Sequence, residues 1–320
     1  MCSVGDGSGS TSSSTPAYQF VTLNDVIWQP RAAGSILLKR DCYTPLLKAM
    51  IETFEHWDVL LLGSGGIGKT EFQFLLCNEL LDQGKTVVVD LDHNEFWCLR
   101  RGEKPRRGVR GHATLGFPAE LALSTTVYLY DMRSCPNDDA CTTLSPLDVE
   151  ARSVVSIRSH KGSDRLHGWR YKRNGRLAQP LYMPPWSLEE LLALRAFDPR
   201  YRNVPPALVE HLFSLYGGCV RYTLVNLLRS GDSGKAPHKL VIERLQSLIM
   251  ETVHECSGST MVKCMWSTAN LVEVEGLFHQ IPTADFQAAT YQYCSEYARD
   301  QLVKSLEPLD LVRKRGVMSL

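Results

Sequence analysis

The chain of 320 residues lacks several features that would place it in a large class at once. No apolar run approaches the ~18 residues that a membrane span needs, so no membrane partner is expected. The first sixteen residues, MCSVGDGSGSTSSSTP, have neither a basic n-region nor an apolar h-region. They do not read as a secretory signal. Rich in Ser, Gly and Thr, they read as a disordered tail over residues 1–16. None of the ten cysteines forms a CxxC pair. Scattered free thiols in a reducing compartment fit that pattern better than a zinc site or a disulfide framework, which points to cytosol or nucleus. An excess charge of one sign is also missing: Lys plus Arg and Asp plus Glu are each 35. Whole-chain charge therefore points to no polyanion partner. No [NT]KxD guanine-reading motif is present.

What is present is enough for a sizeable core, with 44% hydrophobic residues in a length that suits one large domain or two ordinary ones. The densest pattern is Asp58 to Thr70, DVLLLGSGGIGKT. Val59 to Leu62 form a short apolar run before a glycine turn, the signature of a buried strand. Gly63, Gly68, Lys69 and Thr70 then take the spacing GxxxxGK[ST] of a phosphate-binding loop. Glycines let backbone N–H groups curl round a polyphosphate with no Cβ in the way. A lysine at position 69 can reach the β- and γ-phosphates, and the Thr70 hydroxyl can ligate Mg²⁺. The helix that follows, about Lys69 to Leu81, offers its positive end to the anion, and Gly84 is placed to stop it. Gly63, Ser64, Gly65, Gly66, Ile67, Gly68, Lys69 and Thr70 are thus the expected nucleotide-binding segment, with ATP and Mg²⁺ as its cofactors. A chance Gly-rich turn would carry no such framing by strand and helix.

Ahead of the loop, residues 17–57 read as a lead-in with a short strand at Ile36 to Leu38 and a helix over Arg40 to Phe54. Most of that helix face is core; Arg40 is open to two readings, a structural arginine or a contact to the base or sugar. Lys85 to Leu91 is a second strand whose β-branched run suits burial on both faces. Thr125 to Asp131, TTVYLYD, ends in a carboxylate. An acid at that place can hold Mg²⁺ opposite Thr70, which makes Asp131 the Walker B candidate, ahead of Asp90 and Asp92. Hydrolytic sites commonly carry Glu next to that Asp; here Met132 follows, and Asp138 and Asp139 are weaker substitutes. Fast hydrolysis is therefore not expected. Ser153 to Ser159 reads as a fourth strand, with Ser159 placed to contact the γ-phosphate or the attacking water. Gln179 to Met183 is a fifth. The alternation predicts a parallel sheet with helices on both faces, over a core of residues 58–184.

Two basic stretches interrupt this core, residues 100–110 and 158–176. Both read as loops. The first is either a solvated insertion or a polyanion contact or nuclear-targeting run, and the second, with Trp169 and Tyr171 between its cations, either a surface excursion or a nucleic-acid contact. Past Pro184 the pattern becomes helical, beginning at Ser187 and Glu190 with a capping box. Pro205 to Leu215, a helix opening at Arg221, Val241 to Met250 and Phe286 to Leu306 follow. This predicts a small helical lid over 185–306, with Arg221 placed to read the γ-phosphate, and a tail at 307–320.

Taken together, RDCYTPLL, GSGGIGKT, KTVVVDLD, VYLYD, LYMPPWSLEEL and YGGCVRYTL resemble the P-loop NTPase domain of Crinkler effectors and retrotransposon hot spot proteins. The likeness runs over roughly residues 36–306. It implies a STAND/AAA-like branch with an extra strand between the loop strand and the Walker B strand. It also implies phosphate and Mg²⁺ on Lys69 and Thr70, Asp131 as the Walker B acid and Arg221 as the lid arginine. The family allows delivery as a secreted effector and a C-terminal nuclease. No secretion signal is read, and residues 230–320 hold no PD…(D/E)xK constellation, so neither delivery nor DNA cleavage is carried over. The expected function is an ATP-dependent regulatory switch with slow turnover. A non-hydrolysing nucleotide- or nucleic-acid-binding scaffold and a small-molecule kinase are the alternatives.

Overall fold

The computed structural model describes residues 19–23, 35–92, 95–109, 117–131, 149–157, 178–229, 238–255 and 276–305. Ser159, Asp138, Asp139, the 158–176 stretch and both terminal tails lie outside them. Two short strands, β1 (Gln19–Leu23) and β2 (Ser35–Lys39), pair as an antiparallel ribbon. Helix α1 (Tyr43–Phe54) follows. It buries Tyr43, Leu46, Met50 and Phe54, a helical stripe that turns inward against the strand leading to the loop.

That strand is β3 (Asp58–Leu62), every residue of which is buried. Its side chains alternate: Val59 and Leu61 join the cluster that contains α1 and the next helix, while Leu60 and Leu62 join a second cluster on the opposite face. Burial on both faces is what a continuous apolar run in a parallel sheet requires. Helix α2 (Lys69–Asp82) buries Phe72, Leu76 and Leu80 one turn apart along one side. Its end is set by Gly84 at φ +75°, with Gly84 N–H on Leu81 O at 3.0 Å and Lys85 N–H on Leu80 O at 2.9 Å.

The main sheet takes in β4 (Thr86–Asp92), β5 (Glu95–Leu99), β6 (Arg106–Val109), β7 (Thr126–Asp131), β8 (Arg152–Ser156) and β9 (Ala178–Tyr182) besides β3. A short helix, α3 (Pro118–Leu121), precedes β7. The strand order is β6-β5-β4-β7-β8-β3-β9. Strands β4, β7, β8, β3 and β9 run parallel, and β5 and β6 extend the sheet antiparallel. One strand, β8, therefore lies between the loop strand and the strand that ends in Asp131.

One expectation changes at β6. The basic stretch at 100–110 is not all loop, because Arg106–Val109 pairs with β5 as an edge strand. Strand geometry sets Arg106 opposite Cys98, and its guanidinium lies over Phe117 and bonds Glu120. Arg100 also reaches Glu120, at 3.5 Å. Charged side chains on such an edge discourage pairing with another chain.

Beyond the sheet come α4 (Leu188–Phe197), α5 (Pro206–Tyr216), a π-helical turn Arg221–Val225 continued by α6 (Asn226–Arg229), and α7 (His238–Glu255). The capping box of α4 is complete: Glu190 N–H donates to Ser187 Oγ at 3.2 Å and Ser187 N–H to Glu190 Oε2 at 3.0 Å. The helical region also contains a hairpin, β10 (Phe278–Pro282) with β11 (Ala289–Tyr293), before α8 (Glu296–Ser305). The helix read over Phe286 to Leu306 thus starts ten residues later than its apolar spacing suggests. Phe278 stacks on Tyr293 across the ribbon at 4.8 Å, the kind of aromatic cross-strand pair that stabilises strands over helix. Among the described residues no helix is long and apolar enough to cross a membrane.

Candidate nucleotide site

The loop joins β3 to α2, and its geometry follows from its glycines. Gly63, Gly66 and Gly68 have φ of +141°, +74° and +99°, values that L side chains rarely adopt. A Cβ on Gly63 would come within 2.8 Å of Met183 O, and one on Gly66 within 2.6 Å of Arg221 Cβ. These positions therefore need glycine for space as well as for torsion. With the chain bent in this way, the loop closes on Lys69, whose Nζ donates to Gly63 O at 2.7 Å and to Ser64 O at 2.8 Å. Lys69 and Thr70 are both buried.

Thr70, at the start of α2, donates its hydroxyl hydrogen to Asp131 Oδ2 at 2.6 Å. Asp131 is the last residue of β7 and only 2% exposed. The two predicted metal ligands are thus brought together. Hard oxygen donors of this kind suit Mg²⁺, which usually takes one or two protein oxygens and completes its shell with water and phosphate. Among the described residues no cluster of three or more His, Cys, Asp or Glu could hold a metal by itself. The fitting role for this pair is that of a shared, phosphate-assisted cation site. Asp90 is turned elsewhere: it accepts from the Tyr128 hydroxyl at 3.1 Å, and burial together with that carboxylate pushes the Tyr128 phenol well up.

Arg221 is also brought to the loop. Its N–H donates to Gly66 O at 3.4 Å, and its Nε would lie 3.4 Å from a Cβ on Gly66. Ser159 falls outside the described residues. The strand it was expected to close ends at Ser156, in register with Asp131 on one side and Leu61 on the other. The Ser156 hydroxyl is buried and has no hydrogen-bond partner among the described residues. In a parallel sheet, paired residues share a face, so Ser156 points to the same side as Asp131.

Arg40 does not approach a ligand position from the front. It is 2% exposed and lies behind the loop. Its guanidinium pairs with Glu190 Oε2 at 3.0 Å, bonds Pro184 O at 3.0 Å and Pro185 O at 2.5 Å, and covers the Trp186 ring at 4.7 Å. Three further residues touch the loop without any warning in motif spacing. Trp186 Nε1 donates to Ile67 O at 2.7 Å, and Cys219 Sγ to Gly65 O at 3.0 Å. The His279 ring lies 3.2 Å from Ser64 Oγ through Nδ1 and 3.2 Å from Tyr216 O through Nε2. Burial drives the His279 pKa down to about 4, partly opposed by the Tyr216 carbonyl. The only sequence signals for these residues were the PPW and GGC segments and an unassigned histidine.

A five-strand parallel core with one strand between the phosphate-loop strand and the acid-bearing strand, and with Thr70 on Asp131, defines the P-loop NTPase fold. No family model matches the chain, and no curated protein matches it. Two solved structures are similar over most of their length. A Walker-type ATPase of Pyrococcus abyssi is 14% identical, with 80% of this chain and 94% of that one covered at a TM-score of 0.41. The Aeropyrum pernix ORC2 protein, solved in ADPNP–ADP complexes, is 12% identical, with 88% and 95% covered at a TM-score of 0.38. At these values the fold assignment stands on the strand order and loop geometry given above.

Proposed function

We propose that this chain is an ATP- and Mg²⁺-binding P-loop module that works as a nucleotide-dependent switch with slow turnover. The observation that carries the reading is the Thr70–Asp131 contact at 2.6 Å beside a loop closed on Lys69. Bound Mg²⁺ would neutralise phosphate charge and orient the β- and γ-phosphates. Thr70 and Asp131 would hold it, Lys69 would turn its ammonium to the phosphates, and the loop N–H groups would line the anion. Arg221, half-buried beside Gly66, supports a role in reading the terminal phosphate. The absence of an [NT]KxD motif favours adenine over guanine.

The switch reading is supported by where the later segments sit. Cys219, Arg221 and His279 all contact the loop from the region after the sheet. Occupancy at the loop therefore has a direct route to that region, as in other order-linked switches. The order of motifs, from GSGGIGKT through YMPPWSLEE to GGCVR, supports a module of the Crinkler and retrotransposon hot spot type. One observation favours a second reading, binding with little hydrolysis: Met132 occupies the position after Asp131 where a catalytic acid commonly stands.

The test is calorimetric titration with Mg-ATP and Mg-GTP, followed by turnover measurements with and without DNA or RNA. Preferential ATP binding is expected, with turnover well below one per second at saturation. Equal affinity for both nucleotides, or no binding, would overturn the reading. Rapid hydrolysis would overturn its slow-switch part.

A further inference from the structure

A phosphate loop has two faces. Its N–H groups face the anion, and its carbonyls must face away, because a carbonyl dipole aimed at phosphate repels it. Glycine makes the cradle possible but does not secure it, since a glycine-flanked peptide rotates with little steric penalty. In this chain each loop carbonyl has a donor, and those of Gly65, Gly66 and Ile67 are met from segments beyond the sheet. Gly63 O and Ser64 O accept from Lys69, Gly65 O from Cys219, Gly66 O from the Arg221 N–H, Ile67 O from Trp186 at 2.7 Å and from Arg40 at 3.5 Å, and Gly68 O from the Phe72 N–H. Among the described residues, no hydrogen bond takes the N–H of Gly65, Gly66, Ile67 or Gly68.

Lys69 and Phe72 belong to the loop and its helix. Trp186 and Cys219 come from 119 and 154 positions further along the chain. They are braced together. The Trp186 N–H donates to Gly218 O at 2.9 Å, and a Cβ on Gly218 would meet Trp186 O at 2.1 Å, so the two backbones lie in direct contact. Arg40 covers the indole from the other side and ties down the carbonyls of Pro184 and Pro185 just before it. An indole nitrogen can only donate, so this bond has one sense.

We propose that Trp186 and Cys219 are positioning residues for phosphate binding, which hold the Ile67 and Gly65 carbonyls outward and thereby keep the loop N–H groups presented to the anion. The inference rests on the nucleotide-binding reading. Neither side chain needs to touch the nucleotide; both act through the loop backbone. Preorganisation of this kind raises affinity by removing an ordering cost from the binding step.

Packing alone would also bury these two side chains, and the test separates the two roles. Trp186→Phe keeps an aromatic ring and removes the donor. Cys219→Ala removes the other donor, and Cys219→Ser restores one in nearly the same volume. Each variant is titrated with Mg-ATP, and its thermal midpoint is measured without nucleotide. The expected result is about three- to tenfold weaker binding for Trp186→Phe and for Cys219→Ala, the range that one hydrogen bond accounts for. Cys219→Ser is expected to recover most of the affinity lost in Cys219→Ala. Wild-type affinity in both donor-less variants would overturn the proposal, as would losses that follow the thermal midpoints with Ser no better than Ala. If Trp186→Phe does not fold, the Cys219 pair decides. If the wild-type protein itself binds no Mg-ATP, the nucleotide reading has failed and the proposal with it, an outcome that the wild-type titration reveals before any variant is compared.

Discussion

The Thr70 hydroxyl, in the first turn of α2, meets the Asp131 carboxylate at the end of β7 at 2.6 Å, and β8 is the one strand between β7 and the loop strand β3. An amide in place of that carboxylate would keep its shape and lose the charge a divalent cation needs. Asp131→Asn is expected to reduce the gain in ATP affinity that Mg²⁺ brings by about tenfold. Affinity measured in excess chelator should hardly change. Titrations with and without Mg²⁺ check this, and an undiminished Mg²⁺ effect would remove Asp131 from the metal role.

Lys69 closes the loop on Gly63 O and Ser64 O, and in the proposed function the same ammonium turns to the phosphates. Lys69→Met keeps the stem and removes the charge. Nucleotide affinity should fall about 10- to 100-fold, the worth of charge-assisted contacts to phosphate. A fluorescent ATP analogue displaced by ATP would measure it, and retention of wild-type affinity would sink the loop assignment.

The His279 imidazole is buried against Ser64 and Tyr216, and burial lowers its pKa from 6.5 to about 4. The folded protein therefore binds fewer protons here than the unfolded chain. The stability this group contributes is complete above pH 6.5 and is lost as the pH falls towards 4, by up to about 3 kcal/mol. Urea midpoints measured across that window should fall more steeply for wild type than for His279→Gln. Parallel pH profiles would show that His279 is not the source of the slope.

Glu190 neutralises a guanidinium that is nearly sealed from water, with side-chain exposures of 1% for Arg40 and 9% for Glu190. It also closes the capping box of α4. Glu190→Ala leaves a buried charge unpaired and is expected to cost about 3–5 kcal/mol of stability. Equilibrium unfolding gives the value. A loss under about 1 kcal/mol would mean that the backbone carbonyls alone satisfy Arg40.

Much of the nucleotide core was legible because its signals are local. The run at Val59 to Leu62, the glycine spacing and the capping box at Ser187 each depend on residues a few positions apart, and each element appears close to its expected bounds. The place of Asp131 at the end of β7, opposite Thr70, was legible from the apolar run before it. Arg40 was harder, since a charged residue before a helix fits either a ligand or a buried pair. Its true partner, Glu190, lies 150 positions away. The hairpin at β10 and β11 was hidden because its second strand falls inside the stretch read as one helix from Phe286, while the cross-strand partners of Tyr291 and Tyr293, Gln280 and Phe278, lie before that stretch. The PPW and GGC segments and a lone histidine gave no hint of the contacts of Trp186, Cys219 and His279, because each meets a backbone oxygen or a lone hydroxyl, for which no spacing rule exists.

The contacts that Trp186, Cys219 and His279 make with Ile67, Gly65 and Ser64 span 119, 154 and 215 positions of chain. During synthesis the phosphate loop therefore emerges from the ribosome long before its outer supports. Strand β3 and helix α2 can form early from neighbouring residues, whereas closure of such long segments is slow. The loop is accordingly expected to reach its fixed form only after these later segments have docked on it. Nascent chains stalled before residue 219 should carry the full glycine sequence without the rigidity that makes it a binding site.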